Sequence, residues 1–592
     1  MKILQYAPPL AAALLLILFF SALPNLKYCT LPCDEEKLSS KDSKCSRRNE
    51  ALFLVLLCAV YAFTAFFGLG DTVAPQSFMP MEGNSVIFEL NGEASPSEIM
   101  LYSGVGTGNY DILCSKDGEN YVLVQNFEQK HSDVLKWHNL DFESSFIPKY
   151  VEIRCTSGTP WLGEVVFRDQ NNSAVQIKSD ASALCDEQRF CPDRAGFMNS
   201  SYFDEIYHAR TAWEHLNGVW PYEISHPPLG KIIISLGISL FGMTPFGWRF
   251  SGTFVGLLML PIMYYLLKRI FNSRTVSALG TIIFASDFMH FVQTRIATID
   301  SFALFFILLM YLFMYGFYES GSRRDLALSG LFFGLGAASK WTCIYAGGGL
   351  AVLWLMYWIR NFMQNKDSLP WRAFIKNCIF CLLFFVAIPC AIYYLSYIPY
   401  GIAKGADLFS REYLKIVLDN QEFMFSYHVN VQAEHPYASR WYQWVLNIRP
   451  ILYYLNYFDD GTRSSIAAFL NPALCWGGLL SLFVLIYTAL FRRDRKAGFI
   501  LVGYFAQLVP WFFIKRLTFE YHYFASSAFL VLAISYVFDI LRRNRKDWLK
   551  WVLPFTAVSA ALFILFYPVL SGLPVDSKLA SSLLRWLPTW PI

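Results

Sequence analysis

Two adjacent carboxylates, Asp204 and Glu205, stand in the run NSSYFDEIYHARTAWEHLNG, residues 199–218. A carboxylate beside a hydroxyl can take its proton as that hydroxyl attacks, which is general-base chemistry. A double displacement would need two facing carboxylates, whereas neighbours on a helix point about 100° apart. A purely structural account competes: Ser201-x-x-Asp204 has the form of a capping box, and acids at a helix start suit its dipole. Downstream come His226-Pro227-Pro228-Leu229-Gly230-Lys231 and then Trp248-Arg249. No His, Asp and Glu set has metal-ligand spacing, and Asp204 with Asp300 is a divalent pair that nothing forces. Gly-x-Ser-x-Gly and Gly-x-x-x-x-Gly-Lys-Ser/Thr are both absent. A serine hydrolase, a nucleotide loop and a cytoplasmic sugar-nucleotide donor therefore have no support.

The elements that must hold these residues are membrane helices. Of the 592 residues, 55% are hydrophobic and 16% charged, against about 45–50% and about 25% in a soluble chain. The net charge of +4, from 49 basic and 45 acidic residues, is balanced and unclustered, which argues against a nucleic-acid binder. Apolar runs of roughly 17–25 residues predict twelve spans, near 7–24, 50–70, 246–267, 275–293, 299–318, 325–339, 342–360, 374–399, 466–491, 497–514, 523–541 and 549–570. Alternate loops carry the basic residues: Lys268, Arg269 and Arg274; Arg323 and Arg324; Arg360, Lys366 and Arg372; Arg492, Arg493, Arg495 and Lys496; Arg542, Arg543, Arg545 and Lys546. The positive-inside bias makes these loops cytoplasmic, and Arg47 and Arg48 agree. Segments 71–245, 400–465 and 515–522 are then extracytoplasmic, as are both termini. The first span reads as an uncleaved helix, because cleavage as a signal peptide would reverse the second span against the basic loops.

The predicted organisation is an α-helical polytopic membrane protein with an inserted extracytoplasmic β-sandwich. Residues 1–70 give two transmembrane helices with a cytoplasmic loop, and 71–195 the sandwich. Residues 196–245 give juxtamembrane catalytic helices, 246–399 transmembrane helices, 400–465 a large extracytoplasmic loop and 466–592 the C-terminal transmembrane helices. The sandwich rests on short alternating runs at 85–90, 98–104, 110–118, 121–127, 134–142, 149–158 and 163–169 with turn residues between them. Its succession YDILCSKDGENYVLV … KYVEIRCTSGTPWLGEVVFRD resembles the discoidin-like jelly rolls, many of which bind sugars. A spacer or lid is the alternative. Cys114, Cys155, Cys185 and Cys191 fall outside the cytoplasm, where disulfides persist. Cys185–Cys191 would form a short clamp, although all three pairings stay open. Cys29, Cys33 and Cys45 lack His partners at zinc spacing. Phe203, Ile206, Tyr207, Trp213 and Leu216 recur at helical spacing, predicting an amphipathic helix on the outer membrane face.

Taken with this topology, the Asp-Glu pair and the His-Pro-Pro-Leu-Gly-Lys stretch resemble the protein O-mannosyltransferases and related lipid-linked-sugar glycosyltransferases of the multi-spanning C superfamily. TRIATIDSFALFF (294–306), with Arg295 and Asp300, is similar to the family's second outer loop. GLGAASKWTCIY (334–345) resembles its Lys-Trp segment, HPYASRWYQWVLNIRPILYY (435–454) its late outer loop and PWFFIKRLTFEYHYF (510–524) its Arg…Tyr-His-Tyr-Phe turn. The eukaryotic members carry a β-trefoil in the late outer loop, for which 400–465 is too short. The insert and the extra first span differ as well, which suggests a bacterial-type member.

The resemblance implies an inverting glycosyltransferase. It moves a sugar, mannose by family, from a polyprenyl- or dolichyl-phosphate donor to a hydroxyl acceptor, protein Ser or Thr, outside the cytoplasm. Asp204 is implied as the base, and Glu205 as an orienting or acceptor-binding group. The phosphate leaving group needs no strong general acid. Basic groups should hold that phosphate: His226, Lys231, Arg249, Arg295, Lys340, Arg449, Arg516 and His522, although Lys and Arg at helix ends also snorkel to the interface. Lys340 is the sole charge between two closely spaced apolar runs, and a charge at such depth points to function. Asp300 reads either as a site residue or as a cap with Thr298. No cofactor or divalent metal is required beyond the donor. The expected partners are the lipid-linked donor, a protein or glycan acceptor and membrane lipid, with no nucleic acid and the oligomeric state open. The expected location is the cell membrane, or the endoplasmic reticulum in a eukaryotic host. A transporter would show repeated halves and interrupted midplane helices, and no internal repeat is present. A membrane-anchored glycan-binding adhesion protein would leave the ordered loop motifs unexplained.

Overall fold

The computed structural model describes residues 40–91, 96–365 and 369–592. The predicted first span, Cys29, Cys33 and the Cys45 side chain lie outside the described residues. Two compact units are present, each built from discontinuous sequence.

The larger unit comprises 40–67, Glu223–Ile232 and Gly252–Ile592. Eight helices among the described residues are long and apolar enough to cross a membrane: Arg48–Phe66, Pro245–Phe271, Asp300–Ser320, Thr342–Gln364, Trp371–Lys404, Pro472–Phe491, Glu520–Asn544 and Leu549–Ser571. They match eight of the predicted spans. A ninth, predicted at 275–293, is a pair of helices, Arg274–Ala285 and Phe288–Thr294, bent by 58°. The bend has a local cause. Asp287 leaves the helical conformation and accepts from His290 N at 3.1 Å and Asn471 N at 3.0 Å, so it starts a new helix.

The runs at 325–339 and 497–514 form shorter helices than the other spans. Arg323–Ser339 has 17 residues and ends at Lys340, whose backbone is extended. Arg495–Leu508 has 14 residues and gives way to a 3₁₀ turn at Val509–Phe512, where Pro510 lacks the N–H that would continue the ladder. Of these eight, Asp300–Ser320 and Glu520–Asn544 are the most enclosed, whereas Trp371–Lys404 is scarcely buried along its apolar length. The predicted late loop contains a helix, Arg411–Asn430, capped by the Ser410 hydroxyl accepting from Tyr413 N at 3.0 Å.

The second unit comprises Gly68–Tyr222 and Ile233–Ser251. Nine strands form two antiparallel sheets: β1 (Met79–Pro80), β2 (Ser85–Asn91), β3 (Glu98–Ser103), β4 (Gly108–Ser115), β5 (Val122–Gln129), β6 (Lys136–Asp141), β7 (Tyr150–Gly158), β8 (Trp161–Arg168) and β9 (Gln176–Lys178). One sheet runs β5-β4-β7-β2-β9 and the other β1-β8-β3-β6. Each of the seven alternating runs of the sequence falls on a strand, and the inward residues of both sheets, among them Phe88, Leu101, Ile112, Ile153, Val165 and Phe167, make one core. Period-two alternation places these side chains on a single face. Cys185 and Cys191 stand as separate thiols, the Cys191 sulfur accepting from Arg168 Nη2 at 3.2 Å. Helix Glu205–Leu216 packs on the sandwich through Trp213, whose ring meets Phe78 and Trp161.

In the larger unit β10 (Ile451–Tyr457) and β11 (Thr462–Ala468) form a hairpin, to which β12 (Val575–Asp576) adds a third strand.

Candidate active site

In the sandwich unit, Asp204 is the N-cap of helix Glu205–Leu216, and its side chain makes no capping bond to that helix. The capping box read from Ser201 is not formed. Ser201 Oγ donates to Val134 O at 2.6 Å instead, and the Tyr202 amide donates to the Glu205 carboxylate at 3.2 Å. Phe203, between them, has φ +48°, in the left-handed region that bulky residues avoid. That turn delivers Asp204 and Glu205 to different surroundings. Glu205 is fully buried and takes Arg249 Nε and Nη2 at 2.7 Å each. The rest of the Arg249 guanidinium donates to the carbonyls of Leu69, Phe197 and Ser200 at 2.6–2.9 Å. Arg249 thus ties the Asp-Glu turn to both flanking segments, and its fully buried guanidinium, expected from the sequence at the phosphate, is engaged by acceptors of this unit.

In the larger unit, Lys231, also expected at the phosphate, is engaged by nearby acceptors. Its ammonium is fully buried and donates to Glu223 Oε2 at 2.5 Å, Glu223 O at 2.8 Å and His226 O at 2.9 Å. It therefore closes the 223–231 turn on itself. The same Glu223 accepts from Ser225 N at 2.7 Å and lies 3.1 Å from His226 Nδ1, which orients the imidazole. Gly230 is needed here for space: a Cβ would sit 2.7 Å from Ile299 Cγ2 and 3.4 Å from Ser339 O. The His-Pro-Pro-Leu-Gly-Lys turn is thereby seated against the residues immediately before Asp300 and Lys340.

Lys340 follows helix Arg323–Ser339 and lies 2.6 Å from Asp300 Oδ1, and its ammonium is 5.8 Å from the centre of the Tyr521 ring. Asp300 is therefore the counterion of the lysine and opens helix Asp300–Ser320. The His226 ring meets that of His428 at 5.2 Å, and His428 Nε2 donates to Ser225 O at 2.9 Å. Burial lowers the basicity of His226, with Lys340 and Lys231 adding to the effect and Glu223 opposing it. Burial, then His226, Arg516 and Lys340, bring His428 down to about 4. These two imidazoles are therefore neutral hydrogen-bonding groups at neutral pH, and the fixed positive charges are Lys340 and Arg516. His522 stacks on Tyr521 at 4.5 Å and meets Trp511 edge-on at 4.4 Å. A small pocket lies between Asp300, Thr342, Gln507, Trp511, Tyr521 and His522. Gln507 Nε2 is buried there with no hydrogen-bond partner among the described residues.

The remaining sequence-based assignments divide. Arg295 is buried and donates to Ala65 O at 2.9 Å, Phe67 O at 3.0 Å and Ser571 O at 3.4 Å. It caps the C-terminal ends of two helices, where cations are favoured. Arg449 Nη2 donates to Pro436 O at 2.6 Å, and half-buried Arg516 Nη1 to Leu517 O at 3.3 Å. Glu223, His428 and Gln507 were missed by the sequence reading. Glu223, three residues before His226, was open to inspection as its local partner. His428 and Gln507 sit on helices with no motif around them, and long-range folding alone brings them in.

Two family profiles match this chain: one described as dolichyl-phosphate-mannose-protein mannosyltransferase over residues 194–399, and one as the C-terminal four-transmembrane region of protein O-mannosyltransferase over 409–590. Both lie downstream of the sandwich. The polyprenol-phosphate-mannose–protein mannosyltransferase of Mycolicibacterium smegmatis is 28% identical over 450 residues, covering 66% of this chain and 87% of the relative. That of Mycobacterium tuberculosis is 26% identical over 453 residues, covering 66% and 86%. Among solved structures, the S. cerevisiae protein O-mannosyltransferase Pmt1–Pmt2 complex bound to the sugar donor matches with a TM-score of 0.58 at 14% identity, over 67% of this chain and 90% of that one. That likeness concerns the fold.

Proposed function

The chain belongs to the protein O-mannosyltransferase family, and on that premise we propose that it transfers mannose from a polyprenyl-phosphate donor to Ser or Thr hydroxyls of protein on the extracytoplasmic face of the cell membrane. It is a multi-pass membrane protein, and the alternate basic loops of the sequence set the proposed orientation.

The observation that carries this reading is the Lys340–Asp300 pair in a setting of neutral imidazoles and Arg516. A lipid-linked sugar phosphate needs fixed positive charge at membrane depth, and an ammonium half-neutralised by one carboxylate can still meet a phosphate oxygen. Lys340 and Arg516 hold the phosphate. His226 and His522 supply neutral hydrogen bonds beside it, and Gln507 offers its amide to a sugar hydroxyl. Asp204 takes the proton of the acceptor hydroxyl as its oxygen attacks the anomeric carbon. The bond to the phosphate oxygen breaks, and the phosphate leaves with that electron pair. One displacement inverts the anomeric centre. Glu205, whose carboxylate is committed to Arg249, is a positioning residue for this step.

The test is transfer by the purified chain in proteoliposomes, from polyprenyl-phosphate mannose to a Ser/Thr-rich peptide, with the product linkage read by NMR. Mannosyl peptide of inverted anomeric configuration is expected. Failure to mannosylate the peptide, or retention of configuration, would overturn the reading.

A further inference from the structure

We propose that the sandwich holds a hard divalent cation, calcium by its chemistry, between Glu164 of β8 and Asp186 and Glu187 of the segment leaving the domain. One ligand atom from each of these three carboxylates lies within 4.8 Å of the other two. Two oxygens bound to one ion at about 2.4 Å are at most about 4.8 Å apart, so the spread fits a single ion.

An acidic cluster alone would mean little, since exposed acids gather for many reasons. The independent observation is Glu164. It is fully buried, and its Oε1 has no hydrogen-bond partner among the described residues. Its other oxygen accepts from Glu187 N at 3.0 Å. An unsatisfied buried carboxylate oxygen is costly. Either a proton or a cation has to meet that oxygen. Three hard oxygen ligands from carboxylates with no nitrogen or sulfur donor select calcium or magnesium over zinc or copper. Three converging carboxylates exceed the one or two by which magnesium is usually held, and the flexible oxygen shell of calcium accommodates them with water on the side of exposed Asp186.

The placement gives the ion a task. Glu187 Oε2 also accepts from Gln76 N at 2.7 Å and Ser77 N at 3.0 Å, which are the residues by which the chain enters the sandwich. The ion would fasten entry, β8 and exit together, and the exit segment runs directly to Asp204.

The experiment uses the full-length chain in detergent, stripped with a chelator and titrated calorimetrically with calcium chloride and with magnesium chloride. Trypsin cleavage after Arg189 and Arg194, which lie in the exit segment, is followed in parallel. One calcium per chain is expected, bound at least tenfold more tightly than magnesium, with cleavage at both arginines slowed. Glu164→Gln should weaken calcium at least tenfold. Asp186→Asn, at an exposed position that cannot disturb folding, should weaken it as well. Absence of a calcium heat and of calcium protection, or undiminished affinity in Asp186→Asn, would overturn the proposal.

Discussion

Arg249 grips Glu205 with two parallel bonds of 2.7 Å, and both side chains are fully buried. The neighbouring Asp204 is the N-cap of the same helix and the proposed base, so the two carboxylates should respond to neutralisation in different ways. Glu205→Gln leaves a buried guanidinium without its counter-charge, which costs about 3–5 kcal/mol. It should lower the thermal midpoint of the purified protein. Asp204→Asn keeps size and removes proton affinity. It should reduce transfer by about 10²-fold or more with an unchanged melt. A normal rate in Asp204→Asn, or an unaltered melt in Glu205→Gln, would reverse the assignment of these roles.

Lys340 is expected to read the donor's phosphate. Losing one charge-assisted contact costs roughly 1.5–3 kcal/mol, about tenfold to 150-fold. Because the phosphate is present in donor and transition state alike, part of that loss should appear as weaker donor binding. Lys340→Arg keeps the charge with altered geometry and should retain more function than Lys340→Met. Donor titration with polyprenyl-phosphate mannose separates the two, and equal affinities for wild type and Lys340→Met would reduce the lysine to a membrane-depth anchor.

Gly230→Ala should impair the enzyme by steric means alone. The added methyl would lie 2.7 Å from Ile299 Cγ2, and overpacking of this kind costs about 1–3 kcal/mol. The 223–231 turn would shift away from Asp300 and Lys340. Ile299→Ala removes the clashing atom, so the double variant should recover stability and activity toward wild type. No rescue would mean that the glycine is required for another reason.

His428 provides a pH test. Its folded-state value of about 4 is below the ordinary 6.5, so the unfolded chain binds this proton first. The stability it contributes is complete above about 6.5 and is lost as pH falls toward 4. Thermal melts across that window should fall less steeply for His428→Gln than for wild type. Identical slopes would show that the imidazole is not held neutral by the fold.

Hydrophobic runs and alternate basic loops sufficed to mark a polytopic membrane chain, because transfer of apolar length into a bilayer is a local, additive property. Period-two alternation was enough for the sandwich strands, since each run carries its own inward face. The motifs around Asp204, His226 and Lys340 were legible as a family pattern for the same reason: they are contiguous. Partnership was decided by tertiary structure alone. Arg249, Lys231, Arg295 and Lys340 look alike in sequence as basic residues near predicted span ends. Folding buries Arg249 against Glu205, Lys231 against Glu223 and Arg295 against the carbonyls of Ala65, Phe67 and Ser571, and it sets Lys340 beside Asp300. Whether a cation serves the protein's own acceptors or a ligand's depends on which groups lie within about 3 Å of it, and those groups come from segments up to 276 residues away. For Arg249, Arg295 and Lys340, no local pattern of residues carries that information.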